Sequence, residues 1–279
     1  MPLDLSVVTP RSACPACGTP IAAYDNIPVL SWMLLGGKCR NCKAPISPRY
    51  AAVELLTGAL FALSWIYSMG SYPDAIKSCV FCFLLTGLIF TDAETKLLPD
   101  LLTLPGIALG LLFSVMVRFP VDGPAAHMLG RWIGHDPRVL SFANSFLGAV
   151  FGLSSILGVA LIYEAARNVE GMGMGDVKLM CLIGAFLGVK LSLLVLVLGS
   201  LTGSLFGGGL MLLVWQRRFA RRRARAKEPA GVSRERAWQS ARIIFRNFEV
   251  PFGVFLGTAA LVASFWGTPM IQWYLGLYQ

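Results

Sequence analysis

From Arg49 to its C-terminus the chain repeats one pattern, apolar runs of roughly 17 to 25 residues separated by short polar turns, which is the length a helix needs to cross about 30 Å of hydrocarbon. Backbone amides find no water inside a bilayer, so a chain built this way must satisfy them within helices packed side by side. Seven runs are predicted, at about 51–69, 75–92, 101–118, 142–166, 176–189, 191–215 and 251–275, the fifth being the shortest. Composition agrees: 56% of the 279 residues are hydrophobic and only 14% charged, against about 25% in a soluble domain. With a mean hydropathy of +0.65, these figures exclude a disordered chain, a soluble coiled coil and a soluble α/β enzyme. The expected fold is an all-α polytopic membrane protein of about seven transmembrane helices, with a small N-terminal zinc-ribbon-like cytosolic domain.

Two parts are expected, a cysteine-bearing cap over residues 1–50 and a transmembrane domain over 51–279 with a basic loop at 217–249. Met1 to Pro10 lacks a basic segment followed by an apolar one, so no signal peptide is expected. Taking alternate loops as the two sides of the membrane, 19 of the 24 Lys and Arg residues fall on one side. They include Lys38, Arg40, Lys43, Arg49, Lys96, Arg167, Lys178 and the eleven from Arg217 to Arg246. Positive residues mark the cytosolic side. The cap, the 92–100 turn, the 167–178 turn and the Arg-rich loop are therefore predicted to face the cytosol, and the C-terminus the outside. His127 and His135, the two histidines, fall in the longest outside connection and read as solvated surface.

Four of the seven cysteines form two Cys-x-x-Cys knuckles in the cap, Cys14–Cys17 and Cys39–Cys42. The interval between the knuckles is close to that of structural zinc ribbons, where four thiolates close a tetrahedral site at about 2.3 Å per bond. Gly18 supplies the left-handed turn after the second ligand. A stretch of about 50 residues buries little core and needs such a staple. Reduced unbound thiols or two disulfides are the competing readings. Cys79, Cys82 and Cys181 lie in apolar runs and read as small core side chains.

An ionisable residue at the edge of a span is a functional candidate by default. Two clusters qualify: Asp92, Glu94 and Asp100 around the 92–100 turn, where Pro99 breaks the helix, and Asp176 at the end of Gly171-Met172-Gly173-Met174-Gly175-Asp176. Although Asp92 and Asp176 are far apart along the chain, the basic-residue topology brings both to the same membrane face. Two carboxylates sharing a site cannot both ionise cheaply, which leaves one base to activate water and one acid to protonate the leaving amine. Both histidines map to the other side, which argues against Ser/His or Cys/His hydrolysis. The plainer alternative is that the acids are polar interface residues and Asp176 an N-terminal helix carboxylate favoured by the dipole.

These stretches, together with Tyr24-Asp25-Asn26-Ile27-Pro28-Val29-Leu30-Ser31-Trp32, Gly37-Lys38-Cys39-Arg40, Ile46-Ser47, Arg49-Tyr50 and Val250-Pro251-Phe252-Gly253, resemble the type IV prepilin leader peptidases over nearly the whole chain. Those are polytopic aspartyl proteases of bacterial inner membranes, related to GxGD intramembrane proteases. The resemblance implies that Asp92 and Asp176 are the catalytic pair and that Cys14, Cys17, Cys39 and Cys42 hold structural zinc. It implies prepilin or pseudopilin leaders as substrates, cleavage after a glycine, and in many members methylation of the new N-terminus from S-adenosylmethionine.

Similar proteins begin with a further span and a glycine-serine-phenylalanine stretch, whereas Cys14 here follows closely on Met1. The chain reads as a shortened form or as one whose start lies upstream, and the departure bears on methylation more than on proteolysis. No βαβ pattern with a glycine-rich nucleotide turn is present in the sequence. The run from Arg217 to Lys227 fits cytosolic orientation and lipid phosphates, so membrane lipids are the expected partners and nucleic acid is not. A non-catalytic zinc-ribbon scaffold of a pilus or secretion assembly is the alternative function. A small-molecule transporter using intramembrane carboxylates fits less well, since these acids lie at the membrane edge rather than its midplane.

Overall fold

The computed structural model describes residues 12–117, 136–167, 173–225, 238 and 251–277. His127, His135, Gly171, Met172, residues 1–11 and most of the 217–249 loop lie outside the described residues. The chain divides into two compact units, Met1–Ile66 and Tyr67–Gln279.

In the first unit the cysteine pairs sit at the tips of two small loops, each closed by one isolated bridge, Ala13 with Pro20 and Lys38 with Pro45. The loops repeat one hydrogen-bond scheme. Cys14 N–H donates to Thr19 O at 3.0 Å and Gly18 N–H to Cys14 O at 2.8 Å; Cys39 N–H donates to Ala44 O at 2.8 Å and Lys43 N–H to Cys39 O at 3.1 Å. Between the loops lies the short helix α1 (Pro28–Leu34), started by proline at its first position, where no N–H is missed. It is held by its inner side: Ser31 is buried, the Trp32 indole lies against Gly37, and Trp32 Nε1–H donates to Ile46 O at 3.1 Å. Helix α2 (Arg49–Tyr67) follows.

The second unit holds α3 (Tyr72–Thr95), α4 (Asp100–Met116), α5 (Pro137–Arg167), α6 (Met174–Arg225) and α7 (Phe252–Gly276). Among the described residues five helices, α2, α3, α5, α6 and α7, are long and apolar enough to cross a membrane, and α4 is a shorter apolar helix. The fifth and sixth runs read from the sequence are two arms of α6, interrupted at Gly188, whose φ of 74° and ψ of 179° no helix contains. A broken helix in an apolar surround exposes backbone donors and acceptors. Here Asn144 of α5 stands against Gly188, its Oδ1 accepts the Val189 N–H at 3.4 Å, and Ser192 Oγ donates to Gly188 O at 2.6 Å.

The first arm of α6 forms the centre of the unit, with Leu179, Met180, Leu182, Ile183, Ala185 and Phe186 all buried. Phe186 stacks on Phe81 of α3 at 4.8 Å between ring centroids, and Leu256 and Ala260 of α7 complete the same core. Cys82 and Cys181 are buried and Cys79 half-buried, in keeping with small core side chains. Helix α5 crosses this arm on glycines. A side chain at Gly148 would meet the backbone of Gly184 and Gly188, one at Gly152 the Met180 carbonyl, and one at Gly184 the Gly148 carbonyl. Both helices thus carry small residues four apart, the arrangement that lets backbones approach closely where no hydrophobic force distinguishes helix from lipid.

Gly184→Val should therefore lower unfolding stability in detergent by about 1–3 kcal/mol or prevent accumulation, because the obstructing atoms are backbone and cannot rotate away. Gly158→Val, on the same α5 but with nothing within 4 Å of its added carbon, should leave the melting temperature nearly unchanged.

Candidate active site

Asp92 occupies the last turn of α3, and its carbonyl accepts the N–H of Lys96, which closes the helix in the left-handed conformation at φ 54°. The chain then turns through Leu97, Leu98 and Pro99 into α4, whose first residue is Asp100. Asp176 lies in the first turn of α6. The two segments touch directly: a side chain at Gly175 would meet Leu98 at 3.1 Å. Of the alternate glycines before Asp176, Gly175 thus serves a close approach.

The third wall is the start of α7. Val254 N–H donates to Asp92 Oδ2 at 2.9 Å, and Asp92 is 4% exposed. A carboxylate facing the first turn of a helix meets unpaired N–H groups and the positive end of its dipole, which together compensate much of the cost of burial. Gly253 sits between the two acids. A carbon built on it would stand 2.7 Å from Asp92 Oδ2 and 3.3 Å from Asp176 Oδ1, which brings both oxygens around one point at the range where like charges couple. Asp176 is half-buried, which leaves the pair approachable from its side. Two carboxylates so placed, with backbone N–H groups on one of them, can share a proton and hold a water molecule between them.

The remaining acids of the two clusters stay out of this centre. Asp100 pairs with Lys178 instead, Nζ to Oδ1 at 2.6 Å, both side chains being partly exposed. Glu94 is exposed. The contribution of Gly253 and Val254 does not follow from the sequence, in which Val250 to Gly253 stands only as a family-like stretch. The available signal is a proline and a glycine together at the start of an apolar run.

In the first unit the sulfurs of Cys14, Cys17, Cys39 and Cys42 all lie within 4.8 Å of one another. Cys14 and Cys42 are 3.8 Å apart, and all four are free thiols rather than disulfides. A tetrahedron with bonds of about 2.3 Å has edges of about 3.8 Å, so the cluster fits a zinc-sized ion. The four thiols do not ionise alike: the Thr19 hydroxyl and N–H lower the Cys17 pKa to about 6 and N–H groups of Cys42 and Asn41 lower that of Cys39, whereas, against the Ala44 N–H, desolvation and the three neighbouring thiols push Cys42 up to about 11. Asn41 Nδ2 donates to Thr19 Oγ1 at 2.9 Å, tying one knuckle to the other. Arg40 adds a two-bond ion pair with Asp25, both at 2.8 Å.

Both knuckles turn left-handed just after their second cysteine, but on different residues. Gly18 has φ 67° after Cys17, and its counterpart after Cys42 is Lys43 at φ 60°, where a side chain costs about 1–2 kcal/mol. Lys43→Gly should accordingly preserve or raise the melting temperature of the zinc-loaded protein, and Gly18→Ala should lower it. Elemental analysis should find one zinc per chain, lost on Cys14→Ser.

The bacterial peptidase A24 N-terminal domain matches residues 1–68, and the type IV leader peptidase family matches 79–208. A protein of Aeromonas hydrophila named prepilin leader peptidase/N-methyltransferase is 33% identical over 270 residues, which is 97% of this chain and 76% of that protein. One of the same name from Pseudomonas aeruginosa is 32% identical over 271 residues, with the same shares. A third, from Neisseria gonorrhoeae, is 37% identical over 199 residues, 71% of this chain and 62% of that protein. No solved structure matches. With both family domains in order and relatives aligned along nearly its full length, the chain belongs to the type IV leader peptidase family.

Proposed function

We propose that Asp92 and Asp176 are the catalytic pair of an aspartyl endopeptidase of the bacterial inner membrane. It removes the leader peptide of prepilins and pseudopilins at the cytosolic membrane face, cutting after a glycine. The observation that carries this reading is the convergence of both carboxylates on Gly253 at the start of α7. The relatives' name, prepilin leader peptidase/N-methyltransferase, supplies the substrate class.

The geometry suggests distinct roles. Asp92 accepts the Val254 N–H at the positive end of α7, so it is the member that carries the negative charge, and Asp176 the member that carries the proton. Asp92 takes a proton from the water held between them while Asp176 donates its own to the scissile carbonyl oxygen, giving a tetrahedral diol. On collapse the C–N bond breaks, the amine leaves with a proton from Asp92, and a hydroxyl proton returns to Asp176, restoring the pair. A cut here falls where a substrate's apolar segment meets the membrane, since Asp92 and Asp176 both sit at helix ends. The four cysteines contribute a zinc-stapled cap. Four thiolates leave no open position, so the metal's role is architectural.

The second half of the relatives' name extends the proposal to methylation of the new N-terminus, with S-adenosylmethionine as donor. The cytosolic side follows from the basic residues, 19 of 24 on the side of both acids. On that side the charge of the Arg217 to Lys227 run suits lipid phosphates as its partner rather than nucleic acid.

Asp92→Asn and Asp176→Asn should each slow cleavage of a coexpressed prepilin by about 10²–10⁴-fold while the protein remains membrane-inserted. Normal processing by both would leave the scaffold reading standing. Activity of the unaltered protein should be bell-shaped in pH, lost in acid when both carboxyls are protonated and in base when neither is. Gly253→Ala, which drives a methyl group between the acids, should reduce kcat. Mass spectrometry of the mature pilin reports the cut position, and a 14 Da increment from one methyl group (about 14 Da per CH₂) reports methylation.

A further inference from the structure

The cap exposes an apolar stripe that nothing in the peptidase reading uses. On α1, Ile27 at the N-terminal cap is 50% exposed, Leu30 52%, Met33 70% and Leu34 75%. At about 100° per residue these positions span about 120° of the helix surface, a continuous face. The opposite side of the same helix is the one that holds it, through Ser31 and Trp32. Burial of this face would offset the cost that water imposes on it in a cap too small to hide it.

Its position relative to a span is fixed within one compact unit. Val29 N–H of α1 donates to Glu54 Oε2 at 2.6 Å. Glu54 is five residues past the start of α2 at Arg49, about 7.5 Å along that helix. It lies level with Leu55 and Leu56, which are 64% and 40% exposed and face outward from a helix able to cross a membrane. Arg49 and the exposed Tyr50 precede them, the residue types that mark a membrane–water interface. Charge has the matching sign: from Asn26 to Val53 there is no Asp or Glu, while Lys38, Arg40, Lys43 and Arg49 are present.

We propose that the Ile27, Leu30, Met33 and Leu34 face of α1 lies in the headgroup–acyl boundary of an anionic bilayer. The zinc-stapled cap is then docked onto the membrane surface beside α2 rather than merely tethered to it. A short helix pinned at interfacial depth, with apolar residues on one face and cations on the loops around it, has the features of an in-plane lipid anchor.

The test uses the full chain in nanodiscs of phosphatidylglycerol and phosphatidylethanolamine, with Met33→p-benzoylphenylalanine as a photocrosslinking probe and Leu55→p-benzoylphenylalanine as the span reference. Zinc content reports that the cap is folded. Illumination should yield lipid adducts at position 33 within about threefold of those at position 55, falling at least about fivefold when Leu30→Glu and Leu34→Glu are added. Protein adducts at position 33, to another part of the chain or to a second copy, would overturn the proposal. So would an absence of adducts at 33 alongside lipid adducts at 55, or an absence of lipid adducts at both. The single-probe result decides even if the Glu variants lose zinc. The readout does not involve cleavage, so its failure is distinct from failure of the peptidase reading.

Discussion

A hydrocarbon solvent offers no water to a backbone amide or a carboxylate, and the features of the helical unit answer that one constraint. Helices satisfy their own interiors. Their ends and breaks do not, and there the chain places its polar side chains: Asn144 and Ser192 at the Gly188 break, and the carboxylate of Asp92 at the start of α7. The acid therefore serves the helix as much as the helix serves the acid. Val254 N–H loses a water partner and gains Asp92, while Asp92 gains a donor that holds its position. That reciprocity lets a carboxyl group sit at 4% exposure at the end of α3.

Close approach is the second organising element. Glycine at 148, 152 and 184 brings α5 and the first arm of α6 to backbone contact, while glycine at 175 makes room for the Leu98 side chain and glycine at 253 for the two carboxyl groups. The helical crossing fixes where the first arm of α6 lies, and its N-terminal turn carries Asp176. The Leu98 contact and the Lys178–Asp100 pair then join that turn to the hairpin bearing Asp92. An exposed ion pair of this kind contributes at most about 1 kcal/mol, so its value lies in registering two helix starts.

Much of this was legible in the sequence because the signals are local or additive. Apolar runs report spans one at a time, and two Cys-x-x-Cys pairs report a cluster of four sulfurs through spacing alone. The third wall of the site was not legible. Val254 and Asp92 are 162 residues apart, and no periodicity or spacing links them. Nor does composition say that Asp100 would turn to Lys178 rather than to the acids beside it. The break in α6 lay between: two runs were separable near residue 190, but a continuous helical element bent at Gly188 and sealed by Asn144 requires knowing which helix lies alongside.

The dependence of Asp92 on Val254 also has a temporal side. During synthesis α3 and α6 emerge well before α7, so a nascent chain carries both acids while the N–H that positions one of them is still in the ribosome or the translocon. Asp92 acquires that donor only when the segment beginning at Pro251 has been threaded into the bundle. In the proposed mechanism, hydrolytic competence thus arrives with insertion of that helix, and a partly inserted chain lacks the means to cut its neighbours.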